Sequence, residues 1–317
     1  MRQIETERLI LRPWKWEDAE DMYAYASSPN VGPRAGWKPH ESIEETRQIM
    51  KEMFVGADDV WALELKENHK VIGSLGLHET SRGGLVYDRE MGYVLSEEYW
   101  GRGLMPEAAA RAVQFAFEEL GVEILMVAHF DFNMRSRRVI EKLGFSWLTH
   151  LEKSWRRYDG AELNDEVYGM TRAQYRKESP DILTVQDVDY RIVRLLGKGK
   201  GGYSYLAWDG RKRYVVKQIH HEPCDYYTFG DKMEAEQRDY KKLLETGIAL
   251  PRLLAVDTDK ERILKVYIKG DTIYDLVYRD EMKAEYIEQV KRMCALCYRA
   301  NINIDYFPTN FVVQDGV

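Results

Sequence analysis

The sequence predicts a mixed α/β protein made of two domains. Its 317 residues exceed the usual size of one domain, about 100–200 residues. Strand-like and helix-like segments alternate through the first half, and a polar stretch without hydrophobic periodicity then interrupts the pattern at residues 171–180. We therefore expect a first domain at residues 1–176 and a second at residues 177–317.

The first elements form a strand, a helix and a sheet region. Apolar alternation at Leu9 and Leu11 predicts an opening strand, and the acidic residues that follow Trp16 are typical of the first turn of a helix. Two apolar runs separated by a short polar segment predict a hairpin, and a third run extends the sheet. These three runs are residues 60–65, 71–77 and 90–95.

Next comes a turn containing two glycines, residues 99–105, followed by a helix. Pro106 near the first turn and Gly121 after the last apolar position mark the two ends of that helix. The apolar strand 124–128 leads to a second helix, with Asn133 as its expected N-cap and Gly144 just beyond its end.

Composition narrows the possible partners and compartment. A net charge of −7 argues against a nucleic-acid partner and favours a cationic one. We find neither a signal-peptide core nor an apolar run of about 18 residues, so we expect no membrane association. The three cysteines are too few for a disulfide framework, which fits a reducing, cytoplasmic environment. Oligomeric state cannot be read from the sequence.

The glycine-bearing turn is the first candidate binding site. Backbone N–H groups at a helix N-terminus are unpaired, and the helix dipole favours an anion such as a pyrophosphate there. Gly101 and Gly103 would let the backbone approach such a group closely. By itself this pattern also fits a strand-to-helix turn that binds nothing.

Several motifs in order make the assignment more specific. They are residues 6–12, Gly73, residues 90–95, residues 100–103 with Glu107 and Ala108, and residues 133–145. Together they resemble the RimJ/RimL-like branch of the GNAT N-acetyltransferases over residues 4–172. One departure is Glu98, where many GNAT proteins carry Gln or Arg.

This resemblance implies a GNAT fold with a mixed central sheet and acetyl-CoA as the cofactor. The loop expected to bind the CoA pyrophosphate consists of Trp100, Gly101, Arg102, Gly103, Leu104 and Met105. Val94 and Leu95 are expected to hold the pantetheine arm, and Asn133 with Ser136 to contact the cofactor.

Direct acetyl transfer needs a base for the amine, donors for the developing oxyanion and an acid for the thiolate. We expect Glu90 to be the base, acting through water, although it also fits an exposed carboxylate at a strand end. Ser136 is the candidate acid, and its alternative is a hydroxyl bonded to the helix backbone. The amides of Val94 and Leu95 are candidate oxyanion donors. For His129 we expect a packing role.

The acceptor is expected to be a primary amine, either on a small molecule or at a protein N-terminus. Residues 29–37 and 81–88 are rich in Gly, Arg and aromatic residues and are the expected acceptor-binding segments. Trp37 and Tyr87 either line this pocket or cap the hydrophobic core.

The second half contains a glycine-rich segment with Gly197, Gly199 and Gly202. A strand lysine, Lys217, and a helix glutamate, Glu236, follow it. This order resembles the N-lobe of small atypical kinases and aminoglycoside phosphotransferases over residues 187–317, with a partial C-lobe. The resemblance implies a site for Mg-ATP or another nucleotide.

Residues 303–313 resemble a kinase catalytic loop. There Asp305 would orient the hydroxyl, and Asn310 would bind magnesium if a Mg-nucleotide binds. Asp315 and Gly316 predict a two-residue hairpin turn whose returning strand, with the second metal-binding Asp, is missing. We therefore expect a truncated or remnant domain without phosphoryl transfer. A nucleotide-dependent phosphotransferase or regulatory module in this half is the alternative function.

Metal binding by the His and Cys residues of the second half is not expected. His220, His221 and Cys224 form no second paired motif with the other cysteines. Cys294 and Cys297 fall at helical spacing in an apolar run and therefore predict a helix.

Overall fold

The computed structural model describes residues 2–178, 180–199, 201–222, 230–302 and 307–316. The chain divides into two compact units, residues 1–179 and residues 180–317. This division lies three residues beyond the domain boundary expected from the sequence.

The first unit is built around one eight-stranded sheet with the strand order β1-β2-β3-β4-β5-β6-β8-β7. Its strands are β1 (Ile4–Glu5), β2 (Leu9–Arg12), β3 (Val60–Leu65), β4 (Val71–His78), β5 (Arg89–Leu95), β6 (Ile124–Phe130), β7 (Ser146–Arg156) and β8 (Glu162–Thr171). The β5–β6 pair is parallel, and the other neighbouring pairs are antiparallel. The sheet is therefore mixed, as the sequence predicted.

Helices cover both faces of this sheet. They are α1 (Ala19–Ala26), α2 (Gly32–Ala35), α3 (Ile43–Met53), α4 (Leu104–Glu118), α5 (Met134–Lys142) and α6 (Arg172–Arg176). One core joins Met91 and Val127 of the sheet to apolar residues of α4 and α5. The other packs α1 and α3 against the opposite face, with Met22 and Met50 fully or almost fully buried. Burial of these two apolar faces holds the sheet flat between its helices.

The centre of the sheet contains a gap between β5 and β6. These strands pair in parallel only from Arg89 to Met91 on β5 and from Leu125 to Val127 on β6. Beyond Met91 and Val127 the two described strands continue without pairing to each other. The divergence opens a wedge in the sheet, and this wedge positions the site described below.

The predicted strands and helices of this unit are confirmed to within two residues at most ends. Asn133 caps α5, accepting a hydrogen bond from the Ser136 amide at 3.3 Å. The long hairpin β7–β8 was not predicted. The outer strand β7 has mostly exposed or half-buried residues, so its sequence carries little of the alternation that marks a strand.

The second unit contains a six-stranded antiparallel sheet with the order β13-β14-β12-β11-β10-β9, and a separate β15–β16 pair. Its strands are β9 (Ile182–Val185), β10 (Val188–Lys198), β11 (Gly202–Trp208), β12 (Arg213–Ile219), β13 (Leu253–Asp257), β14 (Arg262–Val266), β15 (Asp271–Thr272) and β16 (Val312–Val313). Its helices are α7 (Lys232–Glu245), α8 (Ile273–Tyr278) and α9 (Ala284–Arg299).

Several predictions for this unit are confirmed. The helix expected to carry Glu236 is α7, and the cysteine pair of residues 294 and 297 lies on α9. Asp315 and Gly316 both have positive φ, 51° and 83°, as a two-residue hairpin turn requires. Within the described ranges, every helix is too short or too polar to cross a lipid bilayer.

Candidate active site

A cavity of about 680 Å³ opens where β5 and β6 diverge. Its walls come from these two strands, from the N-terminal ends of α4 and α5, and from the segment around α2. Because the strands separate within the sheet, side chains from both faces reach the cavity.

The predicted glycine loop forms one end of this cavity. Gly103 is the N-cap of α4 and has φ 77°, and no side chain caps the helix. The amides of residues 101–105 make no hydrogen bond within the described part of the chain. A Cβ atom added to Gly101 would meet no described atom within 4 Å, so the space above the loop is open. Five free amides at a helix N-terminus suit a pyrophosphate.

The N-terminal motif holds this loop in place. Arg8 donates from Nη1 to the carbonyl oxygen of Arg102 at 2.9 Å, and from Nε to Glu107 at 2.7 Å. Thr6 also donates to Glu107, which lies in the first turn of α4. This hydrogen bond fixes the peptide between Arg102 and Gly103. Because the peptide is trans, the Gly103 N–H points away from Arg8.

Basic side chains surround the same end of the cavity. The Arg135 guanidinium lies over the Trp100 ring at 4.3 Å, and Arg102 lies over Tyr99 at 5.0 Å. Arg138 and Lys142 of α5 also line the cavity. The basic residues Arg135, Arg138 and Lys142 were not among the predicted site residues, although their spacing places them on one face of α5.

Leu95 and Val94 differ in where their backbone points. The Ser96 amide donates to the Ile72 carbonyl of β4 at 2.8 Å, and alternate amides of a strand point to opposite edges. The Leu95 amide therefore points into the wedge, and that of Val94 points toward β4. The Leu95 carbonyl accepts from Trp100 Nε1 at 2.8 Å. Only Leu95 of the two candidate oxyanion donors thus presents its N–H to the cavity.

Ser136 is paired with a tyrosine that sequence analysis did not select. The Tyr93 hydroxyl and Ser136 Oγ are 2.8 Å apart, and Tyr93 also donates to the Ser136 carbonyl at 3.2 Å. Burial raises the pKa of Tyr93, so its proton stays bound at neutral pH. Asn133 is occupied by its cap to Ser136 and by donation to the Arg34 carbonyl at 3.2 Å.

Glu90 lies in the cavity wall but is fully hydrogen-bonded. It is 8% exposed, and its Oε1 accepts from Arg82 Nη2 at 2.7 Å and Nε at 3.0 Å. Its Oε2 accepts from Thr80 at 2.7 Å and from Tyr87 at 3.1 Å. Arg82 also pairs with the buried Asp165. Both carboxylate oxygens of Glu90 are thus occupied by donors, so the geometry does not favour the general-base role expected for Glu90.

His129, for which a packing role was expected, also lines the cavity. It is 5% exposed, and its ring stacks against Tyr168 with the centroids 5.6 Å apart. Its Nδ1 lies 2.8 Å from the Phe130 carbonyl oxygen, whereas Nε2 has no hydrogen-bond partner among the described residues.

The expected acceptor segments reach the other end of the cavity. Trp37 lines it together with Phe130 and Trp155, and Trp155 Nε1 donates to the Gly36 carbonyl at 3.2 Å. Tyr87 contributes through its hydrogen bond to Glu90 rather than as a lining residue. This end therefore combines aromatic walls with the Glu90–Arg82–Asp165 cluster.

In the second unit, the predicted lysine and glutamate meet. Lys217 of β12 forms an ion pair with Glu236 of α7. A Cβ atom added to Gly201 would lie 3.0 Å from Glu236 Oε1 and 3.3 Å from Lys217 Nζ, so the glycine-rich segment passes close over this pair. Gly197 and Gly199 lie at its β10 side, and Gly202 begins β11. Asn310 ends an exposed single turn, and Asp305 lies outside the described residues.

Comparison with known proteins bears on the first unit. Residues 8–146 match the family model described as acetyltransferase (GNAT) domain. The chain is 29% identical over 147 residues to YoaA of Bacillus subtilis, described as an uncharacterized N-acetyltransferase, covering 45% of this chain and 81% of YoaA. It is 35% identical over 98 residues to the FsC-acetyl coenzyme A-N(2)-transacetylase of Aspergillus fumigatus, covering 29% of this chain and 40% of that protein.

Among solved structures, a GNAT-family acetyltransferase from Bacillus anthracis superposes with a TM-score of 0.48 at 22% identity. That alignment covers 54% of this chain and 98% of the other.

The family model and the matching relatives, which are described as N-acetyltransferases, show that the chain is an acyl-transferring enzyme. Residues 8–146 form an acetyltransferase (GNAT) domain, and the protein is an N-acetyltransferase. Enzymes of this family take the acetyl group from acetyl-CoA.

Proposed function

We propose that the first unit binds acetyl-CoA in the β5–β6 wedge and transfers its acetyl group to a primary amine. The observation that carries this proposal is the run of five unbonded amides at the N-terminus of α4, which opens onto a cavity of about 680 Å³. A pyrophosphate satisfies such amides and gains from the helix dipole.

The residues around the cavity suit the rest of the cofactor. Arg135, Arg138 and Lys142 supply positive charge for the phosphate groups, and the Leu95 amide is available to the pantetheine arm. Bound acetyl-CoA supplies the acetyl group as a reactive thioester. A Cβ atom added to Gly103 would lie 3.6 Å from Arg8 Nη2, which is an ordinary van der Waals distance.

Tyr93 is the proposed acid for the departing sulfur. Its hydroxyl is held in the wall of the wedge by Ser136, and its raised pKa keeps the proton in place until a thiolate forms nearby. Ser136 then acts by orienting Tyr93, which replaces the acid role expected for Ser136 from the sequence.

The acceptor end favours an amine that arrives with a positive charge. Glu90 and Asp165 share the single guanidinium of Arg82, which leaves one formal negative charge beside the cavity. Trp37, Trp155 and Phe130 provide aromatic surface for a cation. Both a protein N-terminus, as the RimJ/RimL-like resemblance implies, and a small polyamine meet these requirements.

An acetyl-transfer assay tests this function. Release of free thiol from acetyl-CoA is followed with two amine probes, spermidine and a short peptide with a free N-terminal alanine. We expect thiol release that depends on one of these amines and the appearance of its acetylated product by mass spectrometry. Binding of acetyl-CoA without transfer to either probe would contradict the acceptor class.

A second candidate function belongs to the second unit. We propose that it binds a nucleotide with magnesium under the glycine-rich segment, because Gly201 passes close over the Lys217–Glu236 pair. Lys217 would contact the phosphates, and Asn310 would bind the metal in that case. This function rests on the kinase-like resemblance and that single contact.

Its test is the effect of Mg-ATP on the thermal stability of the full chain. We expect Mg-ATP to raise the melting temperature of the wild type but not of Lys217→Ala. Lys212→Ala, in the turn before β12, is the matched control and is expected to respond like the wild type. Equal responses in all three proteins would contradict nucleotide binding at Lys217.

A further inference from the structure

His129 and Tyr93 occupy equivalent places on the two walls of the wedge. Met91 of β5 and Val127 of β6 form the last parallel pair before the strands diverge. Tyr93 and His129 each come two residues later, so their side chains lie on the same face of the sheet. They are the first side chains on that face beyond the point of divergence.

The hydrogen bonding of His129 defines which nitrogen is basic. A carbonyl oxygen only accepts, so the 2.8 Å contact with Phe130 places the proton of the neutral ring on Nδ1. Nε2 then carries the free lone pair. A buried acceptor without a partner destabilises a fold, and a ligand in the cavity would supply a partner for Nε2.

Resting on the proposed function, we propose that His129 is a catalytic residue whose Nε2 accepts a proton from the acceptor amine. Glu90 is held by four donors, whereas His129 lines the same cavity and its buried Nε2 has no hydrogen-bond partner among the described residues. His129 and Tyr93 would therefore serve as base and acid on opposite walls of the wedge.

During acetyl transfer, two protons leave the nitrogen of an arriving R–NH3+ group. Nε2 accepts the first and frees the lone pair that forms the new C–N bond. As the C–S bond breaks, its electron pair stays on sulfur, and the sulfur takes the hydroxyl proton of Tyr93. The second proton from the nitrogen then restores the Tyr93 hydroxyl. The imidazolium of His129 then loses its proton to solvent.

The first test reads the free protein by NMR of its histidine side-chain nitrogens. The His129 resonances are assigned by their loss in His129→Asn. We expect Nδ1 to carry the proton of the neutral ring. A neutral ring with its proton on Nε2 would overturn the proposal without any activity measurement.

The second test is kinetic and uses whichever of the two amine probes the wild type acetylates. His129→Asn retains a donor for the Phe130 carbonyl but lacks Nε2, and we expect kcat to fall about 100-fold. Its Kd for acetyl-CoA is expected to stay unchanged.

Two controls separate catalysis from folding. His69→Asn changes an exposed histidine outside the cavity and is expected to leave kcat unchanged. Added imidazole is expected to restore part of the activity of His129→Ala, which a purely structural role would not allow. A His129→Asn enzyme with wild-type kcat would refute the role of His129, whereas a wild type that fails to bind acetyl-CoA would refute the proposed function.

Discussion

Replacing Gly103 with alanine should separate cofactor binding from fold stability. Gly103 has φ 77°, a conformation that L-residues with a Cβ rarely adopt, and it presents the free amides of the loop to the cavity. Gly121, just beyond the other end of α4, has φ 70° and does not line the cavity. A Cβ there would lie 3.8 Å from Arg172 Nη2, so neither site is blocked by contact.

The structure allows both magnitudes to be worked out. A Cβ in the left-handed region destabilises the native backbone by about 1–2 kcal/mol, partly offset by about 0.4–1 kcal/mol from the unfolded chain. Both variants should therefore lose about 1 kcal/mol of unfolding free energy. If the loop around Ala at position 103 relaxes and misplaces one amide, a charge-assisted hydrogen bond of about 1.5–3 kcal/mol is lost. That loss corresponds to a rise in Kd of about ten- to a hundredfold.

Calorimetric titration of acetyl-CoA and urea unfolding measure these two quantities on the same proteins. We expect Gly103→Ala to bind acetyl-CoA weakly and Gly121→Ala to bind it like the wild type, at similar stability. Equal affinities in the two variants would show that the amides of this loop do not hold the phosphates, and the reasoning about the α4 N-terminus would then fail.

Three further predictions concern the core and the chemistry. Asp18→Asn breaks a buried ion pair with Arg12 and should lower the unfolding free energy by about 3 kcal/mol, measured by urea unfolding. Glu141→Gln breaks an exposed pair with Arg137 and should lower it by only about 0.3–0.5 kcal/mol. Burial opposes ionisation of Glu107, but hydrogen bonds from Thr6 and Arg8 outweigh it and its pKa is lowered. The contribution of Glu107 to stability is therefore complete above its unfolded pKa, about 4.3, and is lost as pH falls through the lower folded pKa. Glu107→Gln should therefore make the unfolding free energy less dependent on pH below about pH 4.5. Tyr93→Phe should reduce kcat about 100-fold without changing the Kd for acetyl-CoA, and an unchanged kcat in steady-state assays would exclude Tyr93 as the acid.

The cofactor end of the site could be predicted because its chemistry is local in sequence. A strand, two glycines and a helix are adjacent, and the free amides of residues 103–105 follow from the geometry of a helix N-terminus, since α4 begins at Leu104. The role of Arg8 was not predictable in detail, because its contact with the Arg102 carbonyl joins residues 94 positions apart.

The catalytic end depends on contacts between distant segments, so the partners of its residues could not be predicted from the sequence. The sequence does not show that Glu90 is paired, because its ion pair with Arg82 forms only in the folded chain. The sequence around His129 is apolar and predicts a core residue, and it is the divergence of β5 and β6 that places His129 beside a cavity. Tyr93 falls inside a motif that the sequence identified, yet its partnership with Ser136 requires α5 to pack against β5.

The most direct test of the central claim is a calorimetric titration of the full chain with acetyl-CoA and, separately, with Mg-ATP. The account predicts saturable binding of one acetyl-CoA per chain, whatever the result for Mg-ATP. Binding of Mg-ATP with no detectable binding of acetyl-CoA would contradict it, because the working site would then lie in the second unit rather than in the β5–β6 wedge.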